Sequence, residues 1–141
     1  MAFDTRVMSG SWGQVWVDGD LWMDLDGAQA KYSFNKEDIN LCGNMVTGSK
    51  ITSVKGTGSL SVKKIYTRNH ARTDSILEGK DVRATVVIKL DDPDAFGAER
   101  VALYDVSFDD ETIADFTAGQ TGKTTLPFTF GRREWLDVVD P

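Results

Sequence analysis

A chain of 141 residues, 40% apolar and 27% charged, has the length and composition of one globular domain and not of a disordered segment. Its net charge of −6 makes it a poor gripper of nucleic-acid phosphates, which it would repel. Its single cysteine, Cys42, excludes an internal disulfide and any metal cluster built on thiolates.

In chain order, the first ten residues, MAFDTRVMSG, lack the apolar core of a secretory signal. No later run approaches the roughly 18 apolar residues of a membrane span. Residues 1–11 are small and polar and read as an arm. A frayed terminus and an arm reaching a neighbouring subunit both fit. Gln14–Val17 and Leu21–Leu25 form a first hairpin around Asp18–Gly19. A three-residue loop, Asp18–Asp20, groups Val15, Val17, Leu21 and Met23, and puts Trp16 and Trp22 on the other face near Trp12. A two-residue loop puts Trp22 with the valines instead. The apolar pattern favours the first register and turn chemistry the second. On the first, Trp12, Trp16 and Trp22 form a patch that another part of the fold or a partner buries. Left open, it would serve a monomeric ligand-binding module as a platform for a flat ligand.

Ala28–Phe34 alternates as a strand, with Ala28, Ala30, Tyr32 and Phe34 on one face and Gln29, Lys31 and Ser33 on the other. The apolar phase then flips to Ile39 and Leu41, which predicts a bulge near Lys36–Asp38. Residues 42–55 are rich in small polar residues and read as a long loop. Ser59–Tyr66 is a strand with Leu60, Val62 and Tyr66 inward. Asn69–Glu78 is the one predicted helix, stopped by Gly79 and only weakly amphipathic. Val82–Leu90 is the cleanest strand: Val82, Ala84, Val86, Ile88 and Leu90 face one way, and Arg83, Thr85 and Lys89 the other.

The stretch Gly97–Phe116 organises the rest. Its strand, Arg100–Phe108, is apolar on both faces in its first half and on one face beyond Asp105. Such a strand starts between two layers and ends at a surface. The acidic turn Asp109–Glu111 is expected to fold it back towards Ile113–Phe116. Thr124–Phe130 is the last strand, and Pro127 predicts an edge or an unpaired side. Residues 131–141 form a tail whose Trp135 and Leu136 dock on the body or on a neighbour. Many strands and one short helix predict a mainly β fold, a β-sandwich or small barrel, in a single domain spanning 1–141.

Catalytic and ligand motifs fail one by one. Gly119–Thr124, GQTGKT, lacks the glycine spacing of a phosphate loop and runs into a strand, which leaves Lys123 a solvated loop residue. Asp18, Asp20, Asp24 and Asp26 alternate, but a calcium loop from Asp24 would need Gly and Glu where Gln29 and Asn35 stand. His70, the one histidine, falls in the first turn of the predicted helix and reads as a surface or capping residue. No enzyme activity, cofactor or metal site is expected. Paired carboxylates of a small hydrolase remain a third reading without a cleft to support it.

Five ordered segments carry a resemblance: Val7–Gly19 (VMSGSWGQVWVDG), Tyr32–Ile39 (YSFNKEDI), Asp91–Arg100 (DDPDAFGAER), Gly97–Phe116 (GAERVALYDVSFDDETIADF) and Leu126–Phe130 (LPFTF). Together they resemble the tail-tube proteins of contractile phage tails, in the branch of XkdM-like defective-prophage tubes and R-type, diffocin-like bacteriocins. The resemblance implies a tail-tube fold whose subunits form hexameric rings stacked into a hollow tube. It implies the sheath protein, a baseplate or tail-tip initiator and the tape-measure protein as partners, with DNA in the lumen if the particle is a phage. Assembly would take place in the host cytoplasm, and the product would be a virion tail or tail-like particle. In tail-tube folds the region corresponding to the predicted long loop contacts the next subunit or ring. That role falls here on Met45, Val46, Thr47, Ser49, Lys50, Ile51, Thr52 and Lys55. The polar faces with Gln29, Lys31, Ser33, Arg83, Thr85 and Lys89 are the candidate lumen surface. Six copies at −6 each give a ring of −36, which would keep DNA from sticking if the carboxylates face inward.

Overall fold

A computed structural model describes residues 3–141. Among the described residues there are eight strands: β1 (Gly13–Val17), β2 (Asp20–Leu21), β3 (Leu25–Ile39), β4 (Gly48–Lys63), β5 (Ala84–Leu90), β6 (Glu99–Phe108), β7 (Lys123–Phe130) and β8 (Arg132–Asp137). One helix, α1 (His70–Leu77), lies between β4 and β5. All pairings are antiparallel, in the order β2-β1-β5-β6-β7-β4-β3, with β8 also on β6. The sheet curls over one core, and β1 returns to touch β3. The expected mainly β, sandwich-or-barrel class is the one observed.

The first hairpin takes the two-residue loop. Trp16 pairs with Leu21 and Val17 with Asp20. Asp18 and Gly19 both have positive φ, 50° and 87°, as a type I′ turn requires. Turn chemistry therefore outweighs the apolar pattern. Trp22 donates its N–H to the Val15 carbonyl and lies in the core with Val15 and Val17. Met23 is exposed instead.

Strand β6 joins the two halves. Its first part pairs with β5 and β8, and its end, Ser107–Phe108, with β7. A bulge makes this switch. Asp105 has φ +57°, and the β5 register slips between Ala84 and Val86. The slip moves the inward phase from Val101 and Leu103 to Val106 and Phe108, so both halves feed the core. On the other edge, β7, Gly131 and β8 form one bent chain. The Gly131 N–H donates to the Tyr104 carbonyl beside the bulge. The tail is thus largely strand: β8 docks on β6, with Trp135 opposite Val101.

Strand β7 lies between β4 and β6 and is not an edge. Of the two readings of Pro127, the unpaired side holds. Its carbonyl accepts from the Asp109 N–H just where β6 pairing stops, so its missing N–H faces no ladder partner. Beyond that point the expected fold-back does not form a strand. Residues 109–122 are irregular, and Ile113 and Phe116 are about 90% exposed (88% and 90%).

Helix α1 buries none of its residues. Polar contacts at its start hold it. Arg72 pairs with Asp18 at 2.5 Å and bonds the Asn69 side chain at 2.8 Å. Asn69 stands at the N-cap position but is left-handed (φ 64°), and its side chain makes no cap bond. Just before the helix, Arg68 bonds both oxygens of Asp24, at 2.6 and 3.3 Å, and lies over the Trp22 and Tyr66 rings. The Asp24 side chain is fully buried, so this pair neutralises a charge that would otherwise be costly inside the fold. Tyr66 itself lies past the end of β4 and is exposed, and Val82 lies before β5.

Candidate functional site

Residues 48–55, expected within a long loop, are strand. Together with the outer part of β3 they build a two-stranded ribbon. The β4–β7 pairing stops at Gly56–Phe130, so beyond it β4 has only β3 as a partner. At about 3.4 Å per residue, the ribbon projects about 25 Å from the body. The loop-like composition has a local cause: glycines, serines and lysines carry little β propensity, and the ribbon has no core face to impose an alternation. The expected phase shift is present at the junction of Asn35 and Lys36, but the extra residue is Thr52 on β4, whose hydroxyl bonds the Asn35 carbonyl.

The ribbon tip is ordered by its own polar groups. The Asn44 N–H donates to the Leu41 carbonyl, the Val46 N–H to the Asn44 side chain, and the Thr47 hydroxyl to the Asn40 side chain. The apolar side chains on the ribbon point outward. Phe34, Ile39, Leu41, Met45, Val46, Ile51 and Val54 are all exposed. A ribbon that buries nothing of its own and shows a row of large apolar groups is a surface built to be covered. The candidate contact residues Met45, Val46, Thr47, Ser49, Lys50, Ile51, Thr52 and Lys55 all lie on it, and all are exposed.

The other candidates are dispersed. Gln29, Lys31 and Ser33 are exposed on the outer face of β3, opposite Ala30 and Tyr32, which pack on the core. Lys89 on β5 lines an open groove with Leu25–Ala28 and carries an ion pair to Asp91 at 3.6 Å. The Thr85 N–H donates to the Asp18 carboxylate. Arg83 precedes β5 and pairs with Asp81. The expected tryptophan patch does not form. Trp22 is 5% exposed in the core, Trp16 lies on the opposite face of the hairpin, and Trp12 is half exposed in the segment before β1. The ligand-binding alternative thereby loses its platform.

Three of the four alternating aspartates are held by separate cations. Asp18 holds Arg72, Asp24 holds Arg68, and Asp26 holds Lys63 and Lys123 at 3.4 and 3.1 Å. The Lys123 hydrogen bond, first of all, holds the Asp26 carboxyl below its ordinary range. Lys123 is therefore the first residue of β7 in an ion pair, not a free loop lysine. His70 sits at the start of α1, its Nδ1 3.3 Å from the Thr67 carbonyl. At the N-terminal end, Arg6 lies over the Phe96 ring and bonds the Asp94 carbonyl, and the Ser9 N–H donates to Asp92. Residues 3–9 therefore lie along their own body.

The body is a curled antiparallel sheet from which a two-stranded ribbon projects. The same fold occurs in a structure of the sheath–tube complex of an extracellular contractile injection system, PVC, in its extended state. That match has a TM-score of 0.69 at 11% identity, over 98% of this chain and 99% of that one. A chain in a structure of the anti-feeding prophage cap, the tube-terminating cap, has it too (TM-score 0.66, 10% identity, 93% and 91% covered). The family model described as phage tail tube protein matches residues 2–137. The phage-like element PBSX protein XkdM of Bacillus subtilis (strain 168) is 32% identical over 128 residues, covering 89% of this chain and 87% of that protein. The uncharacterized protein YqbM of the same strain matches to the same extent. The chain belongs to the phage tail tube protein family.

Proposed function

We propose that this tail-tube protein is the inner-tube subunit of a contractile tail or tail-like particle, assembling as hexameric rings that stack around a hollow lumen. The carrying observation is the β3–β4 ribbon, which projects from the body with seven large apolar side chains uncovered. A second copy is the cover that family membership supplies. Stacked rings combine a closed rotation with an open translation, and so grow as a filament. Pairing around a ring would also remove the free edge of β3.

On this reading the role is structural, with no catalytic step. The partners are further copies, the sheath, a baseplate or tail-tip initiator and the tape-measure protein, with DNA passing through if the particle is a phage. Assembly would occur in the host cytoplasm. The outer face of β3, with Gln29, Lys31 and Ser33, is the proposed lumen wall, and Arg83, Thr85 and Lys89 are further candidates.

Negative-stain electron microscopy with sedimentation of the purified protein, with and without tail-tip or baseplate seeds, tests the proposal. Hollow rings or tubes are the expected product. Monomers alone under every condition would overturn it.

A further inference from the structure

The net charge of this protein is unevenly placed. Residues 101–122 contain five acids, Asp105, Asp109, Asp110, Glu111 and Asp115, and no base. That segment therefore carries −5 of the total −6. Around its last four acids stand two large apolar side chains, Ile113 and Phe116, almost wholly exposed. The ribbon has the opposite character. Between residues 33 and 55 it holds three lysines, Lys36, Lys50 and Lys55, against Glu37 and Asp38. Among the described residues, no ion pair within the chain reaches any of these three lysines, nor Asp109, Asp110, Glu111 or Asp115. The molecule's other lysines and arginines are largely engaged with its own carboxylates and rings.

The two surfaces also lie at opposite ends. The ribbon tip follows Ile39 and precedes Gly48, at the start of β4. The acidic loop ends at Gly122, whose carbonyl accepts from Lys64, just past the far end of β4. Its other end is tied at Asp109 to Pro127 on the same side. Strand β4 spans 16 residues, about 50 Å at the usual rise. One copy therefore presents a basic, apolar ribbon at one end and an acidic, apolar loop at the other. The loop is too far from the ribbon to meet it within a chain.

We infer that residues 109–116 are the receiving surface for the ribbon of another copy, in a head-to-tail contact that stacks subunits along the strand direction. Ile113 and Phe116 cover the ribbon's apolar side chains, and the acids face its lysines. The contact is heterologous, so it propagates without closing, as lengthening of a tube requires. Complementary charge fixes the direction and speeds encounter. This inference rests on the tube reading and adds to it the second half of the interface.

Cys42 at the ribbon tip is exposed and provides a handle. In the Ile113→Cys variant each copy carries one thiol at each end. A short bismaleimide added to assembled tubes should then give a ladder of covalent multimers. Wild type, and Cys42→Ser with Ile113→Cys, can give dimers at most. Tubes that form normally but yield no ladder would overturn the contact while leaving the tube reading intact. Absence of any assembly in the wild type would overturn both.

Charge reversal supplies a second arm. Asp109→Lys, Asp110→Lys and Glu111→Lys together should raise the concentration needed for assembly about tenfold, and so should Lys36→Glu, Lys50→Glu and Lys55→Glu. Combining both sets in one chain restores opposite charges across every contact and should restore assembly. If the loop instead serves another protein, such as the sheath, its reversal leaves bare-tube assembly unchanged, which overturns the inference.

Discussion

At the residue scale, two glycines show how closely the core is drawn against the backbone. A Cβ on Gly58 would stand 2.3 Å from the Gln29 carbonyl oxygen and 2.6 Å from the Phe128 ring. One on Gly56 would meet the Phe130 ring and carbonyl at 2.7 and 2.8 Å. The rings of Phe128 and Phe130 thus lie over bare β4 backbone. Gly58→Ala should destabilise the protein by about 2–3 kcal/mol, since the obstacle includes a backbone atom that cannot swing aside. A denaturant midpoint equal to wild type would refute this packing. The Asp92 carboxylate accepts from the Ser9 N–H at 2.8 Å and the Asp94 N–H at 2.9 Å. These bonds, the Ser9 one first, hold its carboxyl below the ordinary 3.8. The tie to the N-terminal segment is therefore intact above that value and is lost as the pH falls through the depressed one. Amide exchange at Ser9, corrected for its intrinsic rate, should quicken in acid, and Asp92→Asn should reproduce the quickening at neutral pH. Protection that ignores both changes would place the tie elsewhere.

At the element scale, the ribbon and the body are separable. Every buried side chain lies outside residues 33–55. Replacing residues 36–51 by an Asn-Gly turn should leave the unfolding midpoint almost unchanged and abolish rings and tubes. Tubes assembled from the shortened chain would show that the ribbon is not the joining element. Helix α1 illustrates the opposite dependence. It has eight residues and leaves Ile76 and Leu77 exposed, so neither length nor apolar burial sustains it. Its anchors are the Arg72–Asp18 pair, which reaches back to the β1–β2 turn, and the adjoining Arg68–Asp24 pair, which reaches the turn before β3.

For the whole molecule, stability and assembly are linked. Phe34, Leu41, Met45, Val46, Ile113 and Phe116 are exposed in the single chain, and covering them would stabilise the folded state by mass action. The thermal midpoint should therefore rise with protein concentration across the range where rings appear in sedimentation. For the shortened-ribbon variant it should stay flat. A wild-type midpoint independent of concentration, with rings present, would mean that the contacts add no net stability.

The sequence by itself determined the class of fold, most of the strands and the family. These depend on alternation along one strand and on ordered local segments. It also determined the helix stop at Gly79 and the type of residues in the first turn, because positive φ at Gly is a local requirement. Only the tertiary structure decided the rest. The register of the first hairpin, which apolar pattern and turn chemistry read in opposite ways, is seen only in the fold, where the type I′ turn at Asp18–Gly19 goes with Trp22 in the core. The course of β6 turned on the Asp105 bulge, which pattern counting across Arg100–Phe108 does not reveal. The partners of Asp18, Asp24 and Asp26 come from residues more than thirty positions away, so their spacing alone imitated a cation site. The returning strand of the ribbon, residues 48–55, looks like a loop in the sequence because its side chains pack on nothing within the chain. Without burial on one face, a strand loses the period that makes it legible.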